Sequence, residues 1–283
     1  MDLSIVTVTW NSSKLIGEQI RSVRAGCREI SFEEIVVDNA SSDNTTSLIS
    51  HEFPEVKLIK NTRNCGFGAA NNQGVKISQG EFLLFLNPDM LVEEGSLDKM
   101  VTWLRSHPEI GIGGCKLIDE YGNLKAEAQP RRFPRVREQV ALLLKIPHIF
   151  PSILDHYLMK NFDAEREQEV DSVRGSFLFM RRDLVWKLGW AFDPRYFFWF
   201  EDVDICREAR RLGYKVVYTP IISCLDYVGQ SFKKRDTLWK QKQFTKSMLQ
   251  YFQKWEPWWK WWVIATIRPV GIMLAWIKDR LRK

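Results

Sequence analysis

The apolar run Phe82-Leu83-Leu84-Phe85-Leu86 breaks abruptly into Asn87, Pro88 and Asp89. A buried strand ending this way delivers a carboxylate to the C-terminal edge of a sheet, where open α/β sheets bind their ligands. An aspartate there can hold a hard divalent cation against a phosphate oxygen. A plain strand followed by a Pro-Asp turn would leave the same trace. A second acidic group lies far downstream, where Phe197-Phe198-Trp199-Phe200 runs straight into Glu201, Asp202 and Asp204. The macrodipole of a helix starting there accounts for Asp204. It does not account for Glu201 and Asp202 abutting so apolar a wall, which would push a carboxyl pKa upward and suit a general base.

Other polar residues fall at ends of the same kind. One strand closes on Thr9-Trp10-Asn11 and another on Asp38-Asn39-Ala40-Ser41-Ser42-Asp43. An aspartate at a second-strand end can accept hydrogen bonds from a ribose or a base. Trp10 suits stacking on a base or packing in the interior equally, and Ser41, Ser42 and Asp43 also make an ordinary helix cap. In the turn Asn64-Cys65-Gly66-Phe67-Gly68 the glycines allow close backbone approach, and the helix after it offers free N–H groups. It is neither a Walker loop nor a dinucleotide fingerprint. Asn71 and Asn72 are poor helix formers that want a polar partner. Asp226-Tyr227-Val228-Gly229-Gln230-Ser231 can bring backbone N–H groups and a hydroxyl to a phosphate.

The elements that must position these groups alternate over residues 1–118. Strands are expected at 3–9, 34–38, 56–60, 81–86 and 110–117, with helices at 12–25, 43–52, 69–78 and 95–106. That order means βαβ crossovers and a central, mostly parallel sheet. Residues 119–171, with four prolines, the cluster Arg131, Arg132, Arg135 and Arg137, and mixed apolar helical pieces, read as a functional loop or lid. Strands at 173–180 and 215–219 and helices at 182–188, 202–212 and 236–254 are expected next.

A chain of 283 residues with 45% hydrophobic and 27% charged residues is of ordinary globular composition. Its five scattered cysteines contain no CxxC pair, so reduced thiols and a cytoplasmic setting are expected. The four histidines are too dispersed for a histidine-built metal site. The amino terminus begins a strand at once, without the basic segment and cleavage site of a signal peptide. The net charge of +6 gathers in the arginine cluster and at the C-terminal end. Such patches suit phosphates or a membrane surface, and no nucleic-acid motif accompanies them.

Taken together, VTVTWN (6–11), VVDNASSD (36–43), NCGFGAANNQG (64–74), FLNPDM (85–90), RRFP (131–134), VRGSFLFMRRD (173–183), FFWFEDVDICREARRLGY (197–214) and GQS (229–231) resemble the family-2 inverting glycosyltransferases of GT-A fold. The likeness is strongest to their rhamnosyltransferase-like branch. Over about residues 3–231 it implies a GT-A type nucleotide-diphospho-sugar transferase fold, with a nucleotide-sugar-binding half (1–118) and an acceptor-binding and catalytic half (119–232), and C-terminal helices are expected to follow (233–283). By the same resemblance, Thr9, Trp10, Asn11, Asp38, Asn64, Asn72, Asn87 and Asp89 would bind the donor. Asp202 would be the catalytic base with Glu201 as its acidic neighbour, Gly175 and Trp199 would line the acceptor side, and Gly229 and Ser231 would meet the diphosphate. Mg²⁺ or Mn²⁺ would be held by Asp89 and Asp226. Two positions depart from the family pattern: Asn87 replaces the first carboxylate of the DxD element, and Asp226 stands in the segment where a histidine is usual.

The implied reaction moves a sugar, with rhamnose from dTDP-rhamnose as the branch's donor, to a hydroxyl of a cell-envelope glycan or polyprenyl-linked precursor. A non-catalytic sugar-nucleotide or glycan binding module with a degenerate metal site is the alternative. A nucleotidyltransferase would need a basic glycine-rich loop near the first strand, which Trp10-Asn11-Ser12-Ser13-Lys14 lacks. Six of the twelve tryptophans lie between Trp255 and Trp276. Residues 258–277 approach the length of a bilayer span, but Lys260, Arg268 and Pro269 interrupt them. A helix lying in the headgroup region on the inner face of the cell membrane is therefore expected, with packing on the domain or a partner subunit as the alternative.

Overall fold

The computed structural model describes residues 1–125, 128–227 and 236–280. Nine strands form one sheet among them: β1 (Leu3–Thr9), β2 (Phe32–Asp38), β3 (Lys57–Lys60), β4 (Phe82–Leu86), β5 (Met90–Val92), β6 (Ile110–Ile118), β7 (Gln168–Glu169), β8 (Phe177–Arg181) and β9 (Lys215–Asp226). The strand order is β3-β2-β1-β4-β8-β6-β9-β5, with β7 added alongside β9. The two longest ladders, β1–β2 and β6–β9, are parallel, as are β1–β4 and β2–β3. β8 runs antiparallel to both its neighbours, so the sheet is mixed at its centre.

Nine α-helices accompany the sheet among the described residues: α1 (Ile16–Gly26), α2 (Thr45–Glu52), α3 (Phe67–Ile77), α4 (Ser96–Ser106), α5 (Val136–Leu143), α6 (Arg182–Leu188), α7 (Glu201–Arg211), α8 (Thr237–Trp255) and α9 (Trp258–Arg280). The sheet is covered on both faces, which is why β4 is buried at every residue and reads as a continuous apolar run. One core gathers Leu3, Ile5, Leu84, Leu97 and Trp103 under α1 and α4. The other gathers Val6, Ile35, Leu83, Phe192 and Ile205 under α3 and α7. A separate cluster of Leu143, Tyr196, Phe200, Met248, Tyr251, Phe252 and Ile264 joins α5, α8 and α9 to the start of α7.

The structure departs from the sequence expectation at three places that matter for the site. The strand expected over 173–180 begins only at Phe177, because Val173 and Arg174 are irregular and Gly175 and Ser176 form a turn. β9 continues past Thr219 to Asp226, through a register shift against β6. The three-residue β5 pairs with that extension, Met90 opposite Asp226. The segment 119–171 carries α5, short 3₁₀ turns and β7, in keeping with the helical pieces expected there. All five cysteines are free thiols, as their spacing suggests.

Candidate active site

The ends of β1, β2 and β4 lie side by side, since Thr9 is in register with Asp38 and Val6 with Phe85. Thr9 donates its hydroxyl to Asp38 Oδ1 at 3.1 Å, and Asp38 Oδ2 accepts the Ser41 N–H at 2.9 Å. Asn11 takes a left-handed backbone and accepts the Ser42 N–H at 2.8 Å. Its role is to tie the β1 turn to the β2 turn. Asn39 does the same for the third turn. Its amide donates to Asn64 Oδ1 at 3.2 Å and to the Gly66 carbonyl at 3.1 Å, while its own oxygen accepts the Cys65 N–H. Gly66 has φ +91°, and a Cβ there would strike the Phe197 carbonyl, so only glycine lets this turn dock.

These turns wall a cavity of about 110 Å³ lined by Thr9, Trp10, Asn39, Asn64, Phe67, Asn87, Asp89, Phe197, Phe198 and Trp239. A larger cleft of about 270 Å³ includes Phe67, Asn87, Asp89 and Phe198 as well. Its remaining walls include Arg131, Tyr157, Arg174, Gly175, Trp199, Glu201, Asp202, Asp226 and Phe244. Asn87 and Asp89 therefore border both spaces.

Two backbone links bring the acidic groups from distant segments into this cleft. The Asn87 N–H donates to the Ser176 carbonyl at 2.9 Å, and the next residue back, Gly175, donates its N–H to Asp202 Oδ2 at 3.1 Å. A Cβ on Gly175 would lie 3.2 Å from the Asp202 Cβ, tighter than ordinary packing, so glycine permits this close approach. Asp202 Oδ1 accepts the Val203 N–H at 2.8 Å. Just before α7, Trp199 and Phe200 both adopt positive φ, 67° and 71°. Bulky residues rarely do so, and such strain persists only where surrounding packing over-determines it. Here Phe244 and Tyr251 pack on Phe200, and the Ser247 hydroxyl donates to the Phe198 carbonyl at 2.7 Å.

Glu201 is 4% exposed, and its Oε2 has no hydrogen-bond partner among the described residues. Burial, reinforced by the neighbouring Asp202, holds its carboxyl well above the usual range. The expectation of an acid raised by the aromatic wall is thus met at Glu201. Asp204 serves structure: Lys254 of α8 donates to Asp204 Oδ2 at 2.7 Å and to Asp193 Oδ2 at 3.0 Å, and lies 2.8 Å from Glu208 Oε1. Burial raises Asp204 despite Lys254. Burial would also raise Asp193, but hydrogen bonds from Arg195 and Lys254 pull it down to about 2.

Asp89 and Asp226 are drawn together by the β5–β9 pair, in which the Tyr227 N–H donates to the Asp89 carbonyl at 3.0 Å. Two carboxylates and the Asn87 amide oxygen in one cleft make a hard oxygen donor set. Among the described residues no group of three or more His, Cys, Asp or Glu gathers as a metal cluster. The donor chemistry present is the kind taken by Mg²⁺ or Mn²⁺, whose sites commonly use one or two carboxylates and complete the shell with phosphate oxygens and water. Lys125 already stands beside Asp226, its Nζ bonded to the Asp226 carbonyl and 3.7 Å from Oδ1.

Of the residues singled out in the sequence, Thr9, Trp10, Asn64, Asn87, Asp89, Gly175, Trp199, Glu201, Asp202 and Asp226 border the two cavities. Asp38 and Asn11 stand behind the first wall as supports. Asn72 is placed differently from its expected role at the donor. Its amide donates to the Phe192 carbonyl at 2.6 Å, and its oxygen accepts the Ala191 and Phe192 N–H groups, both at 3.0 Å. The polar partner that the sequence called for is thus backbone. Gly229 and Ser231 lie outside the described residues. Trp239, Phe244, Arg174 and Tyr157 join the walls without having been anticipated as site residues.

Residues 4–189 match the family model described as Glycosyl transferase family 2. The chain is 25% identical over 249 residues to the N-acetylglucosaminyl-diphospho-decaprenol L-rhamnosyltransferase of Mycobacterium tuberculosis, covering 81% of this chain and 77% of that one. Among solved structures it is similar to the mannosyltransferase PcManGT from Pyrobaculum calidifontis in complex with GDP-Man and Mn²⁺. The TM-score is 0.59 at 17% identity, over 96% of this chain and 72% of that one. It is also similar to S. aureus TarS 1-349 in complex with UDP-GlcNAc, with TM-score 0.57 at 16% identity, over 88% and 65% of the two chains. These likenesses give the fold as GT-A.

Proposed function

The chain belongs to glycosyl transferase family 2, and from that premise we propose that it is an inverting transferase acting on a cell-envelope glycan or lipid-linked acceptor. The observation that carries this reading is the pair of links that set Asp202 and Asp89 in one cleft, through Gly175 and Ser176. The donor's nucleoside would occupy the smaller cavity, between Trp10 and the turn held by Asn39 and Asn64. Its diphosphate would then reach the border at Asn87 and Asp89. Gly229 and Ser231 are proposed to meet the same diphosphate. Asp89 and Asp226 would hold the divalent cation, which when bound offsets the negative charge developing on the departing diphosphate.

Asp202 would take the proton of the acceptor hydroxyl as that oxygen forms its bond to the anomeric carbon. The bond from that carbon to the diphosphate oxygen breaks on the opposite face, and its electron pair leaves with the nucleoside diphosphate. Inversion follows from this single displacement. Burial, with the neighbouring Asp202, raises the Glu201 carboxyl well above its usual range and so favours its neutral form beside Asp202. The Gly175 N–H fixes the orientation of that carboxylate. Trp199 and Phe244 supply an apolar wall on the acceptor side.

The 25% identity to a rhamnosyltransferase supports dTDP-rhamnose as the donor to try first. The helix α9 supports a membrane-surface setting on the cytoplasmic side. It packs on α8 and α5 through Ile264 and Ala275, yet leaves Trp258, Trp259, Trp262, Met273 and Trp276 exposed. The segment Trp258–Ile277, of mean hydropathy 1.2, is long and apolar enough to cross a membrane by length and composition. Arg268, however, turns inward and donates to the Thr245 hydroxyl at 3.1 Å, which suits a helix lying along a surface.

A second reading, a binding module without turnover, draws support from Lys125, which already supplies Asp226 with a cationic partner. Assay of nucleoside-diphosphate release from a donor panel, with Mg²⁺, Mn²⁺ or EDTA, separates the two. Release that depends on metal supports the transferase. Donor binding with no release, even with a lipid-linked acceptor present, would establish the module.

A further inference from the structure

The two cavities account for Asp89, Asp202 and the aromatic walls, but leave Arg174 without a purpose. Its side chain lines the larger cleft, one residue before the glycine that holds Asp202. It makes no hydrogen bond or ion pair with any of the described residues, although a guanidinium carries five N–H donors. Burial pushes it below the usual arginine range, and the nearby charge of Arg131 pushes it further. A half-buried guanidinium whose donors meet no hydrogen-bond acceptor among the described residues can receive an anion.

Arg131 is built into the same wall from another segment. Its backbone forms an antiparallel bridge with Ser172, each N–H donating to the other's carbonyl at 3.1 Å. The Ser172 hydroxyl donates to that Arg131 carbonyl too, at 3.1 Å. The Arg131 guanidinium lies over the Tyr157 ring, 5.6 Å from its centre, which restricts where it can go. Asp202 and Asp226 are the carboxylates whose charge reaches Arg174, and they favour its charged form. Neither forms an ion pair with it among the described residues. Two guanidiniums that repel one another, fixed by separate backbone links and facing one cleft, match the oxygens of a phosphate.

We infer that Arg131 and Arg174 form a phosphate-binding subsite in the cleft that holds Asp202. Its source of phosphate follows from the proposed transferase and is either the phosphate that links an acceptor sugar to its carrier or the donor's own diphosphate.

The first test does not need turnover. Inorganic pyrophosphate is titrated into the full chain in EDTA by calorimetry, for the native protein and for Arg174→Ala, Arg174→Lys and Arg131→Ala. Charged hydrogen bonds of this kind predict a loss of about tenfold or more in affinity for each alanine variant, with lysine intermediate. Equal affinity in native protein and Arg174→Ala overturns the subsite, and the lysine variant decides the matter should the alanine variant not fold.

The second test names the source. A rise in KM for an alkyl-diphosphate-linked GlcNAc, with an unchanged KM for the same sugar on an uncharged alkyl chain, assigns the subsite to the acceptor. Weaker binding of the free nucleoside diphosphate, with both acceptors unaffected, assigns it to the donor. No change in any of these contradicts the inference. Absence of turnover with every donor would count against the transferase alone, since pyrophosphate binding is read independently.

Discussion

The side proposed to hold the donor and the side proposed to hold the acceptor are made in opposite ways. On the donor side nearly every polar group already has a partner: Thr9 binds Asp38, Asn11 binds the Ser42 backbone, and Asn39 ties Asn64 to the Gly66 turn. On the acceptor side, Glu201 keeps an oxygen buried without a partner and two aromatic residues hold left-handed backbone. The first arrangement is a rigid frame grown from strand ends, and it is low in cost because the sheet pays for it. The second stores unfavourable burial and strain, which persist because α8 clamps the start of α7. The general part of the site is therefore local and relaxed, while the reactive part depends on remote packing.

Breaking the reactive side at its centre should have the largest effect. Asp202→Asn keeps the shape and loses the base, so kcat should fall by about 10²–10⁴ while donor affinity stays within a few-fold. Steady-state kinetics alongside calorimetric donor titration reads both. Equal losses in kcat and donor binding would mean that the two sides are not separable.

Lys254→Ala tests the clamp. It strands Asp193, Asp204 and Glu208 without their shared amine, all three of them buried. Removing one partner of such a buried network costs about 3–5 kcal/mol. Denaturant unfolding should show that loss, with activity falling in step. A variant as stable as the native protein would deny that α8 holds α7 in place.

Trp239→Ala sharpens the comparison from the other direction, since this residue of α8 lines the donor cavity. Loss of an aromatic wall against a base is worth about 1–3 kcal/mol. The donor KM should therefore rise by about tenfold, with kcat changed little.

The smallest effect is on stability against pH. The Glu201 carboxyl has a folded-state pKa raised above its unfolded value by burial. The unfolded chain therefore gives up this proton first as pH rises, and the native state loses stability from about pH 4.5 upward until its own pKa is passed. Glu201→Gln removes that loss. The variant should show a shallower fall in Tm between pH 5 and pH 8, by roughly 2–4 °C for each kcal/mol recovered. Parallel curves for the two proteins would mean that Glu201 is not held protonated.

The sequence carried the donor side better than the acceptor side for a related reason. β1 runs over Leu3–Thr9 as its alternating apolar residues predict, and the polar residues after β1, β2 and β4 follow from the strand ends themselves. Local pattern is enough where the site is the edge of a sheet. Residues 173–176 read as strand because they lead into the apolar run 177–180, yet they lie outside it, with Gly175 and Ser176 in a turn and Arg174 and Gly175 at the cleft. β5 is three residues long and exists through its pairing with β9, which no window of sequence displays. Trp239 and Phe244 reach the cleft from a helix more than two hundred residues after Trp10, and a tryptophan-rich tail looks the same whether it meets lipid or a ligand. Asn72 shows the reverse case, a polar residue in the middle of α3 whose partner is backbone.

The most direct test of the account is the configuration of the product. Transfer from dTDP-rhamnose, or from whichever nucleotide sugar the protein consumes, should be followed by NMR at the anomeric centre. A single displacement assisted by Asp202 predicts a product whose anomeric configuration is opposite to the donor's. A product that retains the donor's configuration would contradict the placement of Asp202 as the base.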